Sequence, residues 1–475
     1  MKRLARNGKR GTAVLLVALF LMGTVFSATD ARALDLSDEK KLGRKIFNKI
    51  RERFDLIEDG ELVDYIQSVG SRVVKKMDTV TYDYRFYIVD QNVPNAFAIP
   101  GGYIFIYRGL MEMMDSEGEL AGIISHELAH VQARHIHERL MRGRILNIAA
   151  LAGMVAGAFL GMHTDGAQAL AQGALAGVKT LELQYSRDQE EEADRLGFVY
   201  LTQAGYDPHE LVSIMDKIGR SKWRTGIGNI PSYLSTHPGV GERVNYLDAM
   251  VERHYKLHPQ ERYRRPVGDF QLIQAALVSD HNDADIALSR FDSWGRDEER
   301  KAAAAYGLGR LYLRTGRVEK AIPHLEEAAS MKPASTMVLA SLGSAYYKSG
   351  RMDEARRTLE AALMLNPDAS TAHFNLALVL QETGKYSEAL RHLRRAEQLA
   401  PLFPEIDYHM GVILGRMKQL GPAHFHLGRY HQQKRDFKLA VFHYKKALPL
   451  LAGSPEKQEV IEEELEDIED ERKRS

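Results

Sequence analysis

An α+β domain followed by an all-α solenoid is the fold class that this sequence predicts, and three observations support it. Two segments, 82–89 and 103–107, are rich in aromatic and β-branched residues that alternate as they do in strands. A helical pattern with two histidines four residues apart follows them. In the second half of the chain, Pro333, Pro367 and Pro401 recur every 34 residues, which is the period of tetratricopeptide (TPR) helix pairs.

The composition fits a protein that rests on buried apolar surface. The chain has 475 residues, of which 44% are apolar, and it contains no cysteine. A chain of this length can bury two sizeable cores without disulfide bonds. The 64 basic and 64 acidic residues give a formal net charge of zero. Because there is no broad basic field and no interleaving of basic and aromatic residues, we exclude nucleic acid as a partner.

The first 33 residues predict a secretory signal peptide. A basic segment precedes an apolar stretch, 12–26, that is too short for a comfortable bilayer span. Ala31-Arg32-Ala33 has the small-residue pattern of a cleavage site, and an uncleaved membrane anchor is the alternative. No cysteine follows the apolar stretch, which excludes a lipoprotein anchor. We therefore expect the mature protein to begin near Leu34 in an extracytoplasmic compartment.

The α+β domain is expected at 34–262. Apolar residues at helical spacing predict helices within 35–80; they include Leu42, Ile46, Phe54, Leu62, Ile66 and Val69. Ser116 and Glu119 form a potential capping box where the histidine-bearing helix begins. The stretch 145–162 is almost wholly apolar, yet a single membrane span there would separate the two ends of the domain. We interpret 145–178 as a buried or lid-like helical hairpin, with shallow membrane contact as the alternative.

The His-Glu-Leu-Ala-His run at 126–130 is the strongest chemical signal in the chain. On a helix, His126 and His130 project from one face and can occupy two corners of a zinc tetrahedron. Glu127 lies beside them and can accept a proton from water. A third ligand is expected from another helix, and the acidic cluster 190–194 offers carboxylates for it. A surface helix that holds these residues by chance is the alternative.

Further motifs accompany these two, and together they identify a family. They are the run 95–102, the helix end 131–135, Ser186-Arg187, and Thr236-His237-Pro238 with Arg243. With these motifs, residues 35–265 resemble the zinc metalloprotease family that contains HtpX and the CaaX prenyl endoprotease. The resemblance implies a gluzincin-type metalloprotease domain that binds one Zn2+ ion per chain and cleaves peptide bonds.

The resemblance also implies roles for individual residues. His126, His130 and Glu190 would bind zinc, and Glu127 would be the general base. Glu190 is chosen by the Glu-x-x-x-Asp spacing of the family, because helical periodicity alone leaves its two neighbours, 191 and 192, open. Asp194 would orient a ligand imidazole, or else form a salt bridge on the helix face.

The remaining histidines and the second strand carry weaker predictions. His237 is expected to assist catalysis at the oxyanion, to bind zinc as an inhibitory fourth ligand, or merely to shape a turn. His135 and His137 are expected on other faces of the zinc helix and are interpreted as structural. The segment from Gly102 to Tyr107 could be a core strand. As an edge strand it would bind substrate backbone by strand addition, through Gly102, Tyr103, Ile104 and Phe105.

The linker is expected at 263–268, the TPR array at 269–455, and an acidic capping helix or frayed tail at 456–475. Small residues in register with the prolines let paired helices cross closely; they include Gly309, Gly343, Ala377, Ala321, Ala355 and Ala389. A weaker copy with Ala275, Ala287 and Phe291 precedes them. Gly411 and Gly428 are only 17 residues apart, so one helix is expected to belong to two pairs.

Stacked helix pairs build a concave surface that suits a polypeptide partner. We expect it to include Tyr306, Phe374, Tyr408, Arg314, Lys348 and Arg416. Since the array follows the protease-like domain, the whole chain resembles periplasmic members of the family. That resemblance implies unfolded or stalled outer-membrane proteins as substrates, the outer-membrane β-barrel assembly machinery as partner, and at most peripheral membrane contact. A holdase with little hydrolysis is the alternative function.

Overall fold

The computed structural model describes residues 36–136, 138, 185–224, 232–263, 269–400 and 403–474. The predicted signal peptide, the hairpin at 145–178, His137 and most of the linker lie outside the described residues. Among the helices within the described ranges, none is long and apolar enough to cross a membrane.

From residue 36 onward, two helices precede the sheet, α1 (Leu36–Arg53) and α2 (Gly60–Val74). The side chain of Asp59 caps α2 by accepting hydrogen bonds from the backbone N–H groups of Glu61 and Leu62. All apolar positions that predicted these helices are buried in the core of the domain. The charged residues between them face outward for the most part, as helical periodicity requires.

A three-stranded sheet follows, formed by β1 (Arg85–Val89), β2 (Ala96–Ile99) and β3 (Tyr103–Tyr107). The strand order is β1-β3-β2, with β3 parallel to β1 and antiparallel to β2. β2 was not predicted. Its four residues are all apolar and buried, so the sequence shows no alternation of apolar and polar residues there. Gly101 and Gly102, with φ of 88° and 89°, reverse the chain between β2 and β3.

The expectation that β3 is an edge strand is wrong. β3 pairs with β1 on one side and with β2 on the other, so its backbone hydrogen-bonding groups are used within the sheet. Strand addition at Gly102, Tyr103, Ile104 and Phe105 is therefore excluded, and the core-strand alternative describes this segment. The edges of the sheet belong to β1 and β2.

Within the described residues, six helices follow the sheet in the α+β domain. They are α3 (Arg108–Met113), α4 (Glu117–Gln132), α5 (Arg187–Gln203), α6 (His209–Arg224), α7 (Ser232–Thr236) and α8 (Val240–Leu257). Ser116 caps α4 through the N–H of Glu119, as predicted. The Glu119 carboxylate accepts from the N–H of Asp115 instead of closing a full capping box. α4 packs between α2, α5, α6 and β2, which buries both faces of this helix.

The second unit consists of paired antiparallel helices. They are α9 (Phe270–His281), α10 (Ala284–Trp294), α11 (Lys301–Arg314), α12 (Val318–Met331), α13 (Thr336–Lys348), α14 (Met352–Leu365), α15 (Ser370–Glu382), α16 (Tyr386–Leu399), α17 (Pro404–Arg416), α18 (Leu420–Gln433), α19 (Phe437–Leu450) and α20 (Pro455–Arg474). A Cβ at Gly309 or Gly343 would lie 2.4 or 2.5 Å from a leucine of the paired helix, so these small residues permit the close crossings.

Helix α18 belongs to two pairs, as the 17-residue spacing predicted. Its Leu427 packs on Gly411 of α17, where an added Cβ would lie 2.7 Å away. Its own Gly428 lies against Tyr444 of α19, at 2.5 Å from such a Cβ. The acidic end forms α20, which buries Ile461 and Ile468 as a capping helix does.

The beginning of α2 inserts into the TPR array. Arg310 of α11 contacts Asp59 and Glu61 at the start of α2, and also Asp280 of α9. Further along α2, Asp64 accepts hydrogen bonds from the backbone N–H (3.1 Å) and hydroxyl (2.6 Å) of Ser370. We call Arg310 with its three carboxylates the Arg310 cluster. It joins the two units of the chain through buried charges.

This junction changes the surface that was expected to bind a partner. Tyr306 is fully buried and donates a hydrogen bond to Glu61 (2.8 Å), so its predicted place on an open concave surface is wrong. Phe374 is also buried and packs edge-on against Phe403. Tyr408 remains 42% exposed, and Arg314, Lys348 and Arg416 are exposed as well. Of the six predicted residues, these four stay accessible.

Candidate metal centre

Four metal-binding side chains meet where α4, α5 and the end of α7 converge. His126 and His130 come from α4, Glu190 from α5, and His237 follows α7. One donor atom from each lies within 4.8 Å of all the others, and all four residues are buried. Gly197 permits this convergence, because a Cβ there would lie 3.1 Å from the backbone of His126.

The two histidines of α4 point their Nε2 atoms into one space. These atoms lie 3.0 Å apart. Helical geometry accounts for the arrangement, since residues four apart share a face. Burial holds the pKa of His130 well below its ordinary value, so its ring is neutral at neutral pH and has a lone pair for a metal ion.

Glu190 differs from its two acidic neighbours in where its carboxylate points. Its oxygens lie 3.5 Å from Nε2 of His130 and 3.6 Å from Nε2 of His126. Glu191 instead pairs with Arg195 at the surface, and the Glu192 carboxylate is 60% exposed. A complete capping box between Ser186 and Gln189 fixes the start of α5 and hence this orientation.

Asp194 lies one turn beyond Glu190 and contacts the other ring nitrogen of His126, with 2.9 Å between Oδ1 and Nδ1. Its oxygens accept two hydrogen bonds of 2.7 Å from Arg243 and a further one from Tyr246. Burial alone would raise the pKa of Asp194, but the Arg243 guanidinium and His126 lower it, so the carboxylate stays ionised. This contact is the one that an orienting role for Asp194 requires.

His135 does not lie on another face of the zinc helix, and this expectation is wrong. α4 ends at Gln132, and Arg134 adopts a left-handed backbone conformation with φ of 56°. The chain therefore turns back, and Nδ1 of His135 lies 2.9 Å from Nδ1 of His130. Its Nε2 contacts Glu192 at 3.2 Å. His135 thus positions His130.

Glu127 points into the centre with no hydrogen-bond partner for either oxygen among the described residues. Glu127 is fully buried, and its Oε1 lies 3.6 Å from Nε2 of His237. Burial raises the pKa of Glu127, whereas His237 and His126 oppose that rise. A buried carboxylate is costly unless something pairs with it.

His237 lies close to both ends of the site. Its Nδ1 is 2.9 Å from Glu190 and 3.4 Å from Nε2 of His126. Its ring stacks on that of Tyr233, with centroids 4.3 Å apart. On the opposite side, the ring of Tyr185 stacks on His130 at 3.8 Å. The two tyrosines were missed in the sequence analysis, because single aromatic residues outside a motif give no local signal.

The donors present fit a metal ion with nitrogen and oxygen ligands. Neutral imidazoles and an ionised glutamate are the ligands that zinc takes in hydrolytic sites. Burial alone would raise the pKa of Glu190, but Arg243 and His237 hold it well below its ordinary value. Both oxygens of Glu127 and Nε2 of His237 have no hydrogen-bond partner among the described residues, so they can bind a further polar group beside these donors. The residues therefore suit a divalent cation together with water or substrate.

Comparison with known proteins finds a match for each of the two units. Residues 62–251 match peptidase family M48, and residues 275–336 and 341–402 match the tetratricopeptide repeat. The chain carries a peptidase M48 domain. The M48 domain is of the metalloendopeptidase class, for which a bound metal is implied. The predicted fold class, an M48 domain followed by TPR repeats, is confirmed.

Two relatives of known name match about two thirds of this chain. The putative beta-barrel assembly-enhancing protease of Vibrio cholerae is 30% identical over 333 residues, which are 68% of this chain and 65% of that protein. The beta-barrel assembly-enhancing protease of Escherichia coli is 25% identical over 330 residues, 67% of this chain and 64% of that protein. The matches thus span slightly less than two thirds of these relatives.

A further relative matches a shorter part of the chain. The mitochondrial metalloendopeptidase OMA1 of Schizosaccharomyces pombe is 25% identical over 205 residues, which are 43% of this chain and 56% of that protein.

Proposed function

We propose that this chain is a periplasmic zinc metalloendopeptidase that cleaves unfolded or stalled outer-membrane proteins. The observation that supports the chemistry is that His126, His130 and Glu190 converge. Beside them lies the buried Glu127, whose oxygens have no hydrogen-bond partner in the described residues. The names of two relatives, which refer to β-barrel assembly, support the choice of client. The apolar N-terminal stretch with its small-residue cleavage pattern supports the compartment.

His126, His130 and Glu190 would hold the zinc ion, which when bound supplies the positive charge that polarises a peptide carbonyl and a water molecule. Glu127 accepts a proton from the attacking water, and the water oxygen bonds to the carbonyl carbon. The carbon–nitrogen bond then breaks, and Glu127 passes the proton to the leaving nitrogen. Asp194 and His135 keep the two imidazoles in orientation throughout.

His237 can act in two ways, and its position supports both. Its Nδ1, 2.9 Å from Glu190, could join the ligand set and hold resting activity down. Its Nε2 lies on the side of Glu127 and could donate to the substrate oxyanion. Replacement by alanine raises hydrolysis in the first case and lowers it in the second.

The substrate main chain would lie at the end of β2 rather than along β3. β2 is an antiparallel edge strand, but all four of its residues are buried. Ile99 and Pro100 at its end line a small cleft together with His130 and Val131 of α4. An extended peptide that enters this cleft would therefore pass beside the imidazole of His130.

The TPR array would dock a partner, for which we propose the outer-membrane β-barrel assembly machinery. The accessible residues for this contact are Tyr408, Arg314, Lys348 and Arg416, because Tyr306 is covered by α2. An aromatic ring and cationic side chains on one array suit a polypeptide that carries acidic side chains.

Glu127→Gln tests the chemistry, since it removes the proton acceptor and keeps the size and the ligands. We expect it to retain zinc, measured by elemental analysis, and to lose at least about a hundredfold in casein hydrolysis. Glu191→Gln is the matched control, because that carboxylate lies at the surface. Full activity of Glu127→Gln would overturn the mechanism. Equal hydrolysis with and without chelator, together with suppression of client aggregation, would favour the holdase.

A further inference from the structure

A peptidase needs a hydrogen-bond donor for the carbonyl oxygen that gains negative charge when water adds. Arg243 is the nearest cation, but its guanidinium is already engaged. Two of its nitrogens donate to Asp194 at 2.7 Å each, and the third contacts Glu190. Nη1 makes no hydrogen bond among the described residues, but its ion pair with Glu190 holds that nitrogen at the ligand carboxylate.

Tyr233 brings a second donor to the centre. It is fully buried, and its hydroxyl has no hydrogen-bond partner among the described residues. Its ring lies against that of His237, whose Nε2 is 3.6 Å from Glu127. Tyr233 therefore lies beside the reacting groups and not in the apolar core.

The side chain of Tyr233 is held in place at two points. Its ring lies nearly parallel to that of His237, at 18° with centroids 4.3 Å apart. Its backbone carbonyl accepts a hydrogen bond of 2.8 Å from the N–H of His237. A donor fixed in this way needs no reorganisation when charge develops on the substrate.

A buried hydroxyl without a partner lowers the stability of a fold, whereas phenylalanine would fill the same space at no such cost. The hydroxyl of Tyr233 is therefore available to a group that enters the site. We propose that Tyr233 is a catalytic residue whose hydroxyl donates a hydrogen bond to the scissile carbonyl oxygen. This inference rests on the proposed peptidase function. It holds whether His237 binds the metal or not.

Tyr233→Phe tests this inference, because it keeps the ring and its stacking on His237 and removes only the hydroxyl. With zinc-loaded full-length protein and fluorescein-labelled β-casein, we expect kcat to fall about a hundredfold and KM to stay within about threefold. Bound zinc should equal that of the parent. The melting temperature of the zinc-free variant should be equal or higher, since an unpartnered buried group is gone. A purely structural tyrosine would not combine these results.

Tyr444→Phe is the matched control, because it removes a buried hydroxyl from α19, where the hydroxyl donates to Gln432. It should leave kcat unchanged. A kcat of Tyr233→Phe within about threefold of the parent would overturn the inference. So would a joint loss of zinc, melting temperature and activity. If Glu127→Gln is inactive while Tyr233→Phe is fully active, the peptidase proposal stands and this one is wrong. An inactive parent would refute both.

Discussion

Arg243, which is buried, and Arg310, which is largely buried, both contact several carboxylates, yet the polar atoms around them differ in how many are paired. Arg243 contacts Glu190 and Asp194 within the M48 domain. Arg310 contacts three carboxylates and joins the M48 domain to the TPR array. In each case removal of the cation would leave buried negative charges unbalanced.

The difference lies in what remains unpaired. Around Arg243, the buried atoms without partners in the described residues include both oxygens of Glu127, Nε2 of His237 and the hydroxyl of Tyr233. In the Arg310 cluster, one oxygen of Glu61 is the corresponding atom. The candidate metal centre therefore has several buried polar atoms without hydrogen-bond partners, which a cation and a substrate could contact. In the Arg310 cluster, nearly all buried polar atoms of the described residues are already paired.

The largest expected effect concerns the metal. Glu190→Ala should abolish zinc binding, whereas Glu191→Ala and Glu192→Ala should retain it, because only the Glu190 carboxylate faces the histidines. Metal content of the three purified proteins, measured by elemental analysis, provides the check. Equal zinc in all three would refute the choice of Glu190 and would remove the functional side of the comparison.

The next effect separates the two arginines. Arg243→Gln and Arg310→Gln should each lower the free energy of unfolding by about 3–5 kcal/mol in the absence of zinc. Added zinc should stabilise Arg243→Gln more than it stabilises the parent, because the ion supplies positive charge beside the buried carboxylates that have lost the arginine. For Arg310→Gln, the gain on adding zinc should equal that of the parent. Chemical denaturation with and without zinc measures both, and identical gains would contradict the distinction.

The smallest effect is a pH dependence at the Arg310 cluster. Burial raises the pKa of Glu61 from 4.5 to about 8. A carboxyl with a raised pKa contributes stability that is complete below pH 4.5 and is lost as the pH rises through 8. The parent should therefore lose stability from pH 5 to 8, by at most about 1.4 kcal/mol per pH unit. Glu61→Gln still accepts from Tyr306 and Arg310 but cannot ionise, so this contribution should vanish.

Urea unfolding of parent and Glu61→Gln at pH 5 and pH 8 tests this, and the quantity to compare is the difference between the two slopes. Asp64, whose pKa burial raises to about 6, titrates in both proteins and cancels in that difference. Glu354→Gln is the control, because Glu354 pairs with Arg351 on the surface of the array. Equal slopes for parent and Glu61→Gln would show that Glu61 is ionised throughout.

What could be predicted from the sequence follows the range of the interactions involved. The pair His126 and His130 and the 34-residue period depend on helical geometry over a few residues or on repetition, and both were visible without coordinates. β2 was missed because four buried apolar residues give no periodic signal. The edge assignment of β3 failed for the same reason, since the missing strand is its second neighbour.

Other features depend on contacts between distant parts of the chain. His135 reaches His130 only because the backbone reverses at Arg134, and a left-handed conformation at an arginine has no sequence signature. Arg310 meets Glu61 across 249 positions, so no local pattern links them. Tyr233 lies only four residues before His237, but nothing in the sequence shows that its hydroxyl is buried without a partner among the described residues.

The insertion of α2 into the array has a consequence for the order of events during folding. Asp64 and Ser370 lie 306 positions apart, and such contacts are slow to form because a long loop must close first. The M48 domain is synthesised before its partner helices, with the acids of α2 still in water. The contacts between α2 and the array therefore form last. Translation time separates the synthesis of the histidines from the completion of these contacts.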